Sequence, residues 1–338
     1  NIEINKLNSC FNDTTASYKY LWFISILEAV EDGKKSITMQ EILHRIIANA
    51  WFPTSYFHLS FGGQDKIKQI IVKTASTLQL SIDTDKSNIL QALERLEDKE
   101  FKKEIKALSK YVPHRFLSPW IGGESRVSEL SSITQDPSVN TPYSLLSDRI
   151  EIRDNWLRYF QQNMGVLKAF CYWHFTNFLQ QHNPNVPNIQ NKLLRPVRRK
   201  NLKEQRDIWK LVFEKEPNIH CIYTKRVLPI ENYALDHFLP FQYVAHDLMW
   251  NLVPANPSIN SSKSDKIPNI DIYLNPFIHI QERVFNQLHE MRTGNKLIED
   301  YFPLLSDDKT LDKLRLAENI RGQAMIALNN GFEVMKLM

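Results

Sequence analysis

Between Cys221 and Pro268 the sequence reads CIYTKRVLPIENYALDHFLPFQYVAHDLMWNLVPANPSINSSKSDKIP, a stretch that concentrates residue types able to run a hydrolysis. Asp236 and His237 are adjacent, Asn251 follows the histidine by fourteen positions, Asn260 comes nine later and Lys263 three after that. A histidine titrates near neutral pH, so a neutral imidazole at position 237 can take a proton from water. The Asp236 carboxylate and the Asn260 amide oxygen are hard donors that suit Mg²⁺ or Mn²⁺. Two such ligands leave coordination positions for waters and an anionic oxygen. Lys263 shares a helix face with Asn260 and brings a positive charge there. An Asn at position 251 can hydrogen-bond nearby backbone and fix a turn.

These side chains need particular local structure. Successive residues on a regular strand face opposite sides, so Asp236 and His237 can serve one site only where a strand ends. Pro240, three residues on, agrees with a strand end, because proline is poorly tolerated inside a sheet. Asn256 is a good N-cap, Pro257 suits the first helical position and Pro268 marks a stop, which places Asn260 one turn into a short helix.

The ordered set resembles the HNH, or ββα-metal, nuclease family, whose pattern is a hairpin ending in Asp-His, a loop Asn, and a helix bearing a third His or Asn. Trp250-Asn251-Leu252-Val253-Pro254 and Asn260-x-x-Lys263 match the family's neighbourhood as well. The resemblance implies a metal-dependent endonuclease that hydrolyses phosphodiester bonds. His237 would be its general base, Asp236 and Asn260 its Mg²⁺ ligands (Mn²⁺ the alternative ion), Lys263 a contact to the substrate phosphate and Asn251 a loop clamp. DNA is the implied substrate. An RNA-cutting toxin with the same chemistry, and a non-catalytic nucleic-acid-binding module with a degenerate site, are the alternatives. Bacterial relatives with a separate helical region commonly serve in restriction or anti-phage defence, and the resemblance carries that role with it. One HNH site cuts one strand, so a homodimer is compatible with double-strand breaks, and a regulatory partner protein is compatible with gated cleavage.

One departure from the family pattern is plain. Many members staple the fold with two Cys pairs around zinc, whereas the matching positions here are Cys221, Thr224, Asn256 and Ile259. No structural zinc is expected. The finger should be held instead by Tyr223, Leu235, Phe238, Leu248, Trp250, Leu252 and Ile259.

Around this segment the chain reads as helix. Ser17 to Glu28 is apolar on nearly all sides, as for a helix buried by its neighbours. Thr38 and Glu41 make a capping-box signal before Ile42, Leu43, Ile46 and Ile47, and that helix should stop near Pro53. Further helices are expected over 65–76, 87–111 and 152–181, with 112–124 an ordered connection and 131–142 a linker or surface loop. His174 lies in an apolar stripe, where a satisfied core histidine is the expectation. His220 and His246, which flank the site, are read as surface or packing residues. The expected division is a helical recognition or partner-binding domain over 1–145, a helix and basic connection over 146–204, the nuclease finger over 205–275, and C-terminal helices over 276–338. The fold class is mainly α with a small ββα finger, α+β overall.

Composition agrees. Gly is scarce, at 9 of 338 residues, while Phe, Tyr and Trp number 18, 12 and 7, which suits packed helices. The most apolar run, Tyr20 to Leu27, is far shorter than the roughly 20 residues that cross a bilayer, and the opening residues do not resemble a signal peptide, so no membrane role is expected. Three widely spaced cysteines, Cys10, Cys171 and Cys221, fit a reducing cytoplasmic setting better than a disulfide framework. The formal charge is +4 for the whole chain, yet Lys192 to Lys210 alone carries eight basic residues against two acids. Arg195, Arg198, Arg199 and Lys200 in that run are the expected nucleic-acid phosphate grip.

Overall fold

The computed structural model describes residues 2–12, 14–122, 127–194, 201–291 and 296–336. It is mainly helical, with two small antiparallel sheets among the described residues. No described helix is long and apolar enough to cross a membrane. Contacts divide the chain into two units, one of Asn1–Pro184 with Lys192–Arg195, the other of Asn185–Asn191 with Pro196–Met338.

The first unit begins with α1 (Ile4–Asn8) and α2 (Tyr18–Glu31). As its uniform apolarity predicts, α2 is buried from Tyr20 through Leu27 and again at Ala29 and Val30. After β1 (Ser36–Thr38), α3 (Met39–Trp51) opens with the Thr38 side chain accepting from Glu41 N. The chain passes Pro53 in a wider π-helical turn, Phe52–Tyr56. Next come α4 (Ile67–Leu78), α5 (Lys86–Glu94) and α6 (Lys99–Ala107). The single helix expected over 87–111 is thus broken, because the Asp98 carboxylate accepts from Glu100 N and Phe101 N and so starts a new helix at Lys99.

The stretch expected to be a connection is also helical, as α7 (Val112–Ile121). Pro113 sits in its first turn, where a missing N–H costs nothing, and the helix stops at Gly122, whose φ of 79° favours glycine. Nor is 131–142 a linker between domains. Helix α8 (Leu130–Gln135) leads to β2 (Tyr143–Leu145) and β3 (Arg149–Ile152), which complete a sheet of order β1-β3-β2. Helices α9 (Asp154–Gln162) and α10 (Met164–His182) then finish the unit. Because α10 packs on α2, the division in contacts falls after Pro184 rather than near residue 145.

In the second unit α11 (Lys203–Lys215) precedes a hairpin of β4 (Ala234–His237) and β5 (Leu252–Ala255), with α12 (Phe241–Val244) between its strands. Then come α13 (Pro257–Lys263), α14 (Ile270–Glu290), a 3-10 segment Lys296–Leu304 and α15 (Lys313–Asn329). One apolar core joins the hairpin to the helices. Phe238 stacks on Phe277 of α14 with ring centroids 4.0 Å apart, and Tyr223 meets Tyr273 edge-on at 5.1 Å. A buried polar chain fixes the start of β5, in which Tyr301 Oη donates to Gln281 Oε1 and Gln281 Nε2 donates to the Leu252 carbonyl.

Candidate active site

The β4–β5 register pairs Asp236 with Val253 and His237 with Leu252, and β4 ends at the histidine. Asn251 holds that end. It is fully buried, its Oδ1 accepts from Leu239 N at 2.9 Å and its Nδ2 donates to the Leu239 carbonyl at 2.8 Å, while its own carbonyl takes Phe238 N. A single amide thereby replaces the ladder partners that the chain loses as it leaves the strand. Asn256 caps α13 by accepting from Ser258 N and Ile259 N. That helix ends at Ser264, where φ is 51°, earlier than the stop expected at Pro268.

These elements bring Asp236, His237 and Asn260 to one cavity of about 470 Å³, also lined by Arg206, Gln242, Asp247 and Ser261. His237 Nε2 lies 2.8 Å from Asp247 Oδ1, and its ring meets Phe241 edge-on. A carboxylate accepts, so this contact favours the tautomer with its proton on Nε2, in which Nδ1 carries the lone pair.

Lys263 does not occupy the position expected of a phosphate contact. Its side chain is 0% exposed, and its Nζ is 3.0 Å from Asp236 Oδ1 and donates to the His237 carbonyl at 2.7 Å. The Asp236 Oδ2 accepts from Tyr223 Oη at 2.5 Å. Burial first, then the Asp236 charge, push the Tyr223 phenol well above its ordinary range, so it stays a donor. The carboxylate is thus aimed by one lysine and one tyrosine.

Among the described residues no three His, Cys, Asp or Glu side chains form a ready metal cluster. The donor chemistry nonetheless fits a hard divalent cation in an open site. Each Asp236 oxygen accepts one hydrogen bond and keeps a second lone pair, and the Asn260 amide, on the same cavity, makes no side-chain hydrogen bond among the described residues.

Of the positions matching the family's zinc ligands, Cys221 is buried and its Sγ accepts from Asn256 N at 3.4 Å. Thr224 Oγ1 accepts from Arg226 N. Tyr223, Leu235, Phe238, Trp250 and Leu252 are buried, with Leu248 and Ile259 half-buried. His246 Nδ1 accepts from Leu248 N and its ring lies 5.2 Å from Trp250, and His220 is exposed. Arg195, Arg198, Arg199 and Lys200 lie outside the described residues.

Three contributors were not singled out in the sequence. Asp247 carries one signal, since His246-Asp247 repeats an acid beside a histidine ten residues after Asp236-His237. In the sequence Tyr223 reads only as packing, and Arg206 only as one charge of the basic run.

A hairpin that ends in Asp-His and faces a short helix bearing an Asn is a ββα arrangement. Residues 221–269 match the family model described as HNH endonuclease, and this segment of the chain belongs to that family. Such a segment points to a nuclease acting on nucleic acid, a class that generally uses a divalent metal. Comparison with curated proteins and with solved structures gives no match.

Proposed function

We propose that the chain is a metal-dependent HNH endonuclease that hydrolyses phosphodiester bonds in DNA. The observation that carries this reading is the His237–Asp247 pair at the cavity that Asp236 and Asn260 also line.

His237 Nδ1 removes the proton from the attacking water, and Asp247 holds the ring and stabilises the imidazolium that results. Asp236 and Asn260 would hold the cation, which when bound supplies positive charge beside the phosphate oxygens where negative charge builds up. Lys263 and Tyr223 position the Asp236 carboxylate, and Asn251 fixes the loop that leaves β4. Arg206, on the cavity wall, offers a positive charge to the substrate phosphates. Service in restriction or anti-phage defence comes from the family resemblance, and the helical unit is the part that would select target or partner.

The test is cleavage of plasmid DNA and of total RNA, with Mg²⁺, Mn²⁺ or EDTA, by wild type and His237→Ala. Metal-dependent nicking of the plasmid by wild type alone is the expected result. Cutting of RNA alone would replace the substrate, and binding without any cutting would replace the enzyme by a nucleic-acid-binding module.

A further inference from the structure

The first unit holds a cavity of about 1250 Å³, larger than the one at His237, on α4, α6, α7 and the segment leading into α2. Its walls carry Lys19, Lys66, Lys73, Lys110 and Arg115 against one carboxylate, Glu104. That carboxylate is already ion-paired with Lys73 at 2.6 Å. Lys19 Nζ donates to the Cys10 carbonyl at 2.9 Å. The groove is therefore strongly positive, although the whole chain carries only +4. Like charges gathered in a concave wall raise the local potential and draw in an anion.

Tyr111 makes the anion's nature more specific. It stands 48% exposed on this wall, with Lys110 Nζ 5.0 Å and Arg115 Cζ 5.9 Å from its ring centroid. An accessible ring flanked by cations offers a stacking face beside phosphate contacts, the combination that grips unpaired bases. A duplex keeps its bases stacked on one another and has none to offer the ring. The volume also exceeds the roughly 300–1,000 Å³ of small-molecule sites, which favours an extended strand over a single nucleotide.

We propose that this groove binds single-stranded nucleic acid, with phosphates against Lys66, Lys110 and Arg115 and a base stacked on Tyr111. The choice of ligand class rests on the nuclease reading, while the charge and the exposed ring are independent of it.

The experiment is fluorescence anisotropy of labelled oligothymidylate, an oligoribonucleotide and a duplex of equal length, in EDTA so that no strand is cut. The full chain is compared with Tyr111→Ala and with the double variant Lys110→Glu, Arg115→Glu, each checked for its fold by circular dichroism. Wild type should bind one or both single strands more tightly than the duplex, and the two strand types show which sugar is accepted. Charge reversal should weaken that binding at least about 10-fold and reduce the salt slope by about 1.4, as for two phosphate contacts. Tyr111→Ala should weaken it about 5-fold to 100-fold, the range of one stacked base. No binding by wild type, a preference for duplex, or unchanged single-strand affinity in both variants would overturn the proposal. The same preparations assayed for plasmid and RNA cutting keep the two readings apart. A chain that cuts nothing yet binds strands through Tyr111 and Arg115 loses the nuclease reading and keeps this site, whereas normal cutting with unaltered strand affinity loses this site alone.

Discussion

His237 Nε2 lies 2.8 Å from Asp247 Oδ1, so the ring at the end of β4 is oriented by a residue ten positions further along, beyond α12. In the proposed mechanism this pairing leaves Nδ1 as the base and makes Asp247 a positioning residue rather than a group that touches substrate.

Removing the base and removing its orienting partner should therefore differ. His237→Ala should lower cleavage by about 10²-fold to 10⁴-fold while leaving nucleic-acid binding near wild type. Asp247→Asn should lower kcat less and shift the pH-rate profile. Near-normal cutting by His237→Ala, measured by plasmid nicking, would rule out the general-base assignment.

Metal binding should follow the oxygen donors. Calorimetry with Mn²⁺ should show binding to wild type that is lost in Asp236→Ala and weakened in Asn260→Ala, with activity falling in parallel. Undiminished Mn²⁺ affinity in Asp236→Ala would place the metal elsewhere.

The ion pair of Lys263 and Asp236, with side chains 0% and 4% exposed, gives a prediction about stability. Lys263→Met leaves a buried carboxylate without its cation and should cost about 3–5 kcal/mol in urea unfolding. Adding Asp236→Asn to that variant should restore part of the loss, because no unpaired charge then remains. A neutral outcome for Lys263→Met would mean that the carboxylate finds water.

Asn251→Ala removes both partners of the Leu239 backbone at a fully buried position. Each orphaned group costs about 1–3 kcal/mol, so the variant should melt lower and cut poorly even in saturating Mg²⁺. Normal melting with normal cutting would show that the turn after β4 needs no clamp.

The first unit carries its own pH dependence. Burial pushes the His44 imidazole below its ordinary range, so folded His44 resists a proton that the unfolded chain accepts. Its contribution to stability is whole above the unfolded value, about 6.5, and is lost as pH falls through that value to the lowered folded one. Urea unfolding between pH 8 and pH 5 should fall more steeply for wild type than for His44→Gln. Parallel curves would count against a buried neutral His44.

What the sequence made legible was local. Asp236-His237 at a strand end and Asn256-Pro257 at a helix start are short-range signals, and the strand ends and the helix begins at those residues. The sheet of β1, β3 and β2 left no such trace, because strands of three or four residues carry too little alternation and β1 pairs with a strand more than a hundred residues away. Helix α7 was hidden by its prolines, although Pro113 stands where a helix tolerates one. Burial of Lys263 was invisible, since the polar run around it reads as a solvated face and only the folded hairpin supplies its two acceptors. Asp247 acquires its role only once α12 turns the chain back toward β4.

The contact of Cys221 Sγ with Asn256 N, set in a continuous apolar core, has a practical consequence. Where a zinc knuckle makes shape and chemistry both depend on metal, here an apolar core and buried hydrogen bonds from Asn251, Lys263 and Gln281 hold the hairpin. For the proposed enzyme a chelator would then act as a brake: without the cation the finger should stay folded, and activity should return as soon as magnesium is added, without a refolding step.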